Sequence, residues 1–124
     1  MENKLKKYTW GYEILWANQD DYAGKVKIFE KPEKTEMVFH KNKSLTYFVN
    51  QGTFNIKWID TSTGKVYEQN LPEGGVKTIE PLTPYTIECT SKTGSLSEVN
   101  NGEKTNDTFY LMPKMEDNNV SKTD

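Results

Sequence analysis

The chain has 124 residues, of which 34% are apolar and 12% aromatic, so it holds one packed domain and is too short for two. Its formal net charge of −2 provides no basic field for a phosphate backbone, which argues against nucleic acid as a partner. A lone cysteine, Cys89, excludes an internal disulfide and any cysteine-based zinc cluster, and the expected compartment is the reducing cytoplasm.

The N-terminal "MENKLKKYTWG" carries lysines but no apolar stretch of the signal-peptide kind, and no run downstream is long enough to span a membrane. Residues 1–16 read as an N-terminal arm or edge strand, with Trp10, Ile14, Leu15 and Trp16 ahead of the first clear strand. From there the apolar pattern alternates by two, with no convincing helical period. "GKVKIFE" places Val26 and Ile28 on one face and Lys25 and Lys27 on the other, which predicts a strand with the lysines on a solvated outer face. "EMVFH" and "LTYFVN" follow, joined by "KNKS", whose composition suits a solvated turn. "TFNIKWI" alternates Phe54, Ile56 and Trp58 with Asn55 and Lys57 and runs into a hairpin loop, "DTSTG". "KVYEQNL" returns, "PEGG" turns the chain again, and "VKTI", "YTIEC", "SLSEV" and "DTFYL" complete about nine strands. Half-buried strands at this spacing predict an all-β sandwich or barrel. The tail 113–124 is polar and apolar-poor and is expected to be disordered.

Several segments, matched in order from Trp10 to about Leu111, resemble the cupins. The likeness is greatest to the small barrel of bifunctional mannose-1-phosphate guanylyltransferase/mannose-6-phosphate isomerases. The entry segment "WGYEILW" is followed by "YAGKVKIF". Counting back from Gly52 along the first cupin motif puts its glutamate at Leu45, its second histidine at His40 and its first at Val38. The second motif aligns with "GGVKTIEPLTPYTIE", where the histidine position is Tyr85. Downstream, "SEVNNGEKTNDTFYL" retains Glu98 and Asp107 and has Tyr110 where a basic residue is common. The resemblance implies a cupin-type double-stranded β-helix (jelly-roll barrel) over residues 1–112, and a homodimer paired through edge strands or exchanged N-terminal segments.

The chemistry of the implied metal site is largely lost. A tight transition-metal site needs three or more imidazole or carboxylate ligands. Val38 and Leu45 have no lone pair to give, and a tyrosine phenol must first lose a proton. No metal and no other cofactor is therefore expected, unless Glu36, Glu88 or Glu98 reaches inward. The expected function is binding of a small polar ligand, a sugar being one candidate, by His40, Tyr47, Trp58 and Tyr85 with Lys25 and Glu98. A second reading is a metal-independent sugar isomerase or epimerase. By resemblance to metal-free cupin-fold epimerases, His40 and Tyr85 would then be the catalytic base and acid. A third is a closed barrel kept as a structural or assembly module. With no arginine among its 16 basic residues, the chain would have to meet phosphate with Lys25, Lys27 or Lys41, so phosphosugar isomerisation is not carried over.

Overall fold

The computed structural model describes residues 4–111, and the elements they form are strands. In chain order these are β1 (Lys4–Tyr8), β2 (Gly11–Asn18), β3 (Ala23–Phe29), β4 (Val38–His40), β5 (Leu45–Gln51) and β6 (Phe54–Asp60). β7 (Lys65–Leu71), β8 (Val76–Ile79), β9 (Tyr85–Cys89), β10 (Gly94–Asn100) and β11 (Thr108–Tyr110) complete the fold. Two antiparallel sheets, ordered β1-β2-β3-β10-β5-β8 and β11-β4-β9-β6-β7, face each other as a jelly-roll sandwich without closing into one hydrogen-bonded cylinder. The tail from 113 to 124 lies outside the described residues.

Residues 4–18 form a hairpin. β1 is the sheet edge, and β2 lies between β1 and β3. Trp10 is buried, stacked between Tyr8 at 4.5 Å and Phe29 at 4.1 Å, and Phe29 meets the edge of Phe54 at 5.2 Å. This aromatic column packs against Val49, Leu71, Cys89 and Leu96 and makes one half of the interior apolar. Gly52, the glycine that anchors the first motif, turns the chain beside it with φ +85°. A Cβ there would stand 2.6 Å from both the Ser91 Oγ and the Thr93 carbonyl oxygen, so the motif's closing glycine is sterically required.

Along the inner faces the character changes from one end to the other. β3 runs from Phe29 back to Lys27 and Lys25, β10 from Leu96 on to Glu98 and Asn100, and β5 from Val49 back through Tyr47 to Leu45 and then Lys43. The expectation of an outer face for Lys25 and Lys27 is thus overturned. Their side chains are only 10% and 12% exposed, and it is Val26 and Ile28 that turn outward. Phe29 sets the phase: burying its ring puts every second residue before it inside. Lys43 of the predicted solvated turn is likewise buried, in phase with Leu45, Tyr47 and Val49.

Replacing Phe29 by Ala removes the centre of the aromatic column and is expected to cost about 3–5 kcal/mol, as for other buried aromatics. Val66→Ala, at a position 62% exposed, should change stability by less than about 0.5 kcal/mol. Urea unfolding of the two variants checks both; equal midpoints would contradict this packing.

Candidate functional site

The polar half of the interior is organised by a closed ring of alternating charges. Glu13 bonds Lys27 at 2.6 Å and Lys25 at 3.4 Å; Lys25 meets Glu103 at 3.2 Å, and Glu103 meets Lys43 at 3.3 Å. Lys43 and Lys27 each lie 3.8 Å from Glu98, which closes the ring. Three ammonium groups face three carboxylates, so the ring is neutral. Strand pairing positions most of it, because β2 and β3 set Glu13 opposite Lys27 while β3, β10 and β5 line up Lys25, Glu98 and Tyr47. Asn100 braces one side. Its amide nitrogen donates to Glu98 at 2.8 Å and Glu103 at 2.7 Å, and its oxygen accepts the Gly102 N–H.

The ring sets the protonation of Glu13, Lys25 and Glu103. Burial works against ionising Glu13, but Lys27 and Lys25 outweigh it and hold the carboxyl at about 2. Burial likewise opposes the Lys25 charge, and Glu98, Glu13 and Glu103 overcome it, raising its pKa. Burial also disfavours ionised Glu103, yet Lys25 and Lys43 keep its pKa below the usual range.

Beside the ring runs a hydroxyl relay. The Asp107 carbonyl can only accept, so His40 Nδ1 carries the proton in their 3.1 Å contact and Nε2 is left as an acceptor. Tyr85 Oη donates to that Nε2 at 3.0 Å, and Tyr47 Oη donates to Tyr85 Oη at 3.5 Å. Burial foremost pushes both phenols far up, so they stay protonated. Burial, then Lys43, lowers the pKa of His40, which stays neutral. His40 and Tyr85 therefore face the same interior and bond directly to each other. The group that orients the imidazole is a main-chain carbonyl. The Asp107 carboxylate instead accepts the backbone N–H groups of Lys41, Asn42 and Lys43 at 2.9–3.2 Å and fixes the loop that delivers Lys43.

The residues singled out from the sequence are thus distributed unevenly. Lys25 and Glu98 are ring members, and His40, Tyr47 and Tyr85 form the relay. Trp58 stands off to the side, paired with Tyr85 across β6 and β9, stacked on Tyr67 at 5.8 Å and capped by Lys77 Nζ at 3.5 Å. Sequence reasoning missed the roles of Glu13, Lys27, Lys43, Asn100 and Glu103. Alternation extended back from Val49 and Phe29 would have found the lysines; Glu103 lies in a loop and carries no such signal.

A metal ion does not fit this arrangement. Val38 and Leu45 pack in the apolar interior, Tyr85 spends its proton on His40, and Glu98 is taken up by Lys27, Lys43 and Asn100. Among the described residues no group of three or more His, Cys, Asp or Glu side chains is placed to hold a metal ion. Nor is any helix among them long and apolar enough to cross a membrane.

No protein-family model matches the chain, and no curated protein matches it in sequence. Solved structures do match in shape. An oxalate decarboxylase of Lactobacillus farciminis, in a formate complex, superposes with a TM-score of 0.77 at 16% identity over 90% of this chain and 34% of that one. CapF, a capsular polysaccharide assembling protein of Staphylococcus aureus, gives 0.79 at 16% over 89% of this chain and 34% of its own. A single-substitution variant of the oxalate decarboxylase of Bacillus subtilis gives 0.76 at 18% over 90% and 30%. These are cupin-fold proteins, and the fold of this chain is the cupin jelly roll. The chain spans about a third of the length of each of these structures.

His40 is the only histidine, so its imidazole is read directly by proton NMR. Its midpoint is expected below 6.5 with the proton on Nδ1. The unfolded chain takes up a proton near pH 6.5 while folded His40 resists, so its contribution to stability is complete above that pH and declines as the pH falls toward the lowered folded value. A midpoint at or above 6.5 would refute the relay.

Proposed function

We propose that this chain is a metal-free cupin-fold binding domain that takes a small polar ligand in the polar half of its interior. The observation that carries the reading is the ring of three buried ammonium groups and three carboxylates. Apolar side chains of similar size in place of buried ion pairs are often neutral or stabilising, and the same strands supply such packing one turn of the pleat away. Stability alone does not account for the ring, and clusters of perturbed ionisable groups mark functional sites. The ligand would contact Lys25 and Glu98 of the ring and the His40, Tyr47 and Tyr85 relay, with Trp58 as an aromatic wall at the side. Structural neighbours named for a formate complex and for capsular polysaccharide assembly support a small acid or a sugar as the class to test.

The isomerase or epimerase reading is less well supported. An acid and a base acting on opposite sides of a sugar need the substrate between them, whereas His40 and Tyr85 are bonded to each other. Mannose-6-phosphate isomerase activity is not carried over, because its metal does not fit. The assembly-module reading draws on the filled interior. NMR titration with glucose, mannose, mannose 6-phosphate and small organic acids separates these readings. At least one probe should shift the His40, Tyr47 and Tyr85 signals, and Tyr85→Phe should weaken it about tenfold, the loss of one buried hydrogen bond. Silence at these residues with every probe favours the assembly module, and turnover of a sugar favours the enzyme. Cys89, buried and unpaired, suits the cytoplasm as the working compartment.

We also propose a homodimer through the outer face of the six-stranded sheet. Register places Leu5, Ile14, Val26, Ser97, Phe48 and Val76 in one row across all six strands. Leu5, Phe48 and Val76 are 45–55% exposed, and Trp16 and Val99 widen the apolar band. A contiguous exposed band of this kind marks an interface, and a second copy offers the same self-complementary surface. Light scattering at micromolar concentration should give the mass of two chains, and Phe48→Lys the mass of one. A one-chain mass for the unaltered protein rules the dimer out.

A further inference from the structure

We propose that the Glu103 carboxylate stands in for a ligand carboxylate, so that the interior is a site for a small monocarboxylate bound by Lys25, Lys43 and Asn100. This rests on the binding reading above and names its ligand class. Glu103 sits as such a ligand would. One oxygen meets Lys25 at 3.2 Å, and the other meets Lys43 at 3.3 Å and the Asn100 amide at 2.7 Å. Its partners are fixed without it. Lys25 also binds Glu13, Asn100 also donates to Glu98, and Lys43 is positioned by the Asp107 carboxylate through its own backbone N–H.

Glu103 is also the member of the ring that can leave. Its side chain is 28% exposed, whereas those of Glu13 and Glu98 are 8% and 2% exposed. Glu13 and Glu98 project from strands, while Glu103 belongs to the connection between β10 and β11, where Gly102 (φ +115°) and Asn106 (φ +59°) both adopt positive φ. Charge then selects the ligand. With Glu103 swung out, Lys25, Lys27 and Lys43 face Glu13 and Glu98 alone, and neutral His40 adds nothing. One positive charge is left, which a single carboxylate neutralises. A neutral sugar leaves it unpaired, and a dianion overshoots it.

The test compares the full-length protein with Glu103→Gln, which keeps the shape and removes the charge. Thermal unfolding and calorimetry are run with sodium acetate or sodium glycolate, against sodium chloride at equal ionic strength and against glucose. Glu103→Gln should melt below the unaltered protein, and acetate or glycolate should restore its Tm where chloride does not. The acids should bind it about tenfold more tightly, since the site is no longer occupied by its own carboxylate. Should the variant fold poorly, glycolate titrated into the unaltered protein must shift the Lys25, Lys43 and Asn100 side-chain signals. The proposal is overturned if carboxylates do no more than chloride, or if those signals stay still. If glucose shifts Tyr47 and Tyr85 while the acids do nothing, the carboxylate assignment falls and interior binding stands; if neither acts, both fall.

Discussion

The polar half of the sandwich depends on charge neutrality inside the ring. Each lysine bridges two carboxylates and each glutamate bridges two ammonium groups. Loss of a single member leaves an uncompensated buried charge, which in comparable sites costs about 3–5 kcal/mol. The lysine side chain suits this task. Its ammonium is a compact point charge with three rotatable donors, able to serve two acceptors from one stem, whereas a planar guanidinium fork is shaped for one carboxylate at a time. The separation of the inner faces into an aromatic half and a charged half follows from the same constraint, since the apolar column of Trp10, Phe29 and Phe54 gives the ring a dry wall and no competing hydrogen-bond partners.

The relay contains His40 and Tyr85, two of the four positions at which the sequence resemblance implied metal ligands, and the ring lies beside it. His40 is buried and aims inward, but Tyr85 engages its remaining lone pair and the Asp107 carbonyl engages its proton. Glu98, the most buried of the three ring carboxylates, is committed to two ammonium groups and an amide. The cationic element of the site is thus supplied by lysine side chains that belong to the chain itself.

Much of this was legible in the sequence, and the failures are instructive. Period-two alternation identified nine of the strands, and His40 and Tyr85, singled out from two separate motifs, lie in direct contact in the structure. The phase of β3 was read the wrong way round, because Val26 and Ile28 outvote two lysines on any hydrophobic scale. The decisive residue was Phe29, buried completely and one step out of phase with them. A charged inner face breaks the rule that the apolar side faces in, and such breaks concentrate at functional sites. Glu103 could not be read at all. Its aim depends on loop dihedrals and on tertiary contacts to a segment 60 residues away in the chain.

The loop that carries Glu103 is tied down at both feet. Asn101 exchanges hydrogen bonds with Asn42 and Ser44, and Asp107 clasps Lys41 to Lys43. Between these anchors lies the short span from Gly102 to Asn106, whose reach is limited to about 3.5 Å per residue. On the binding reading proposed above, so short a tether would make room for a single small acid and not for a polymer.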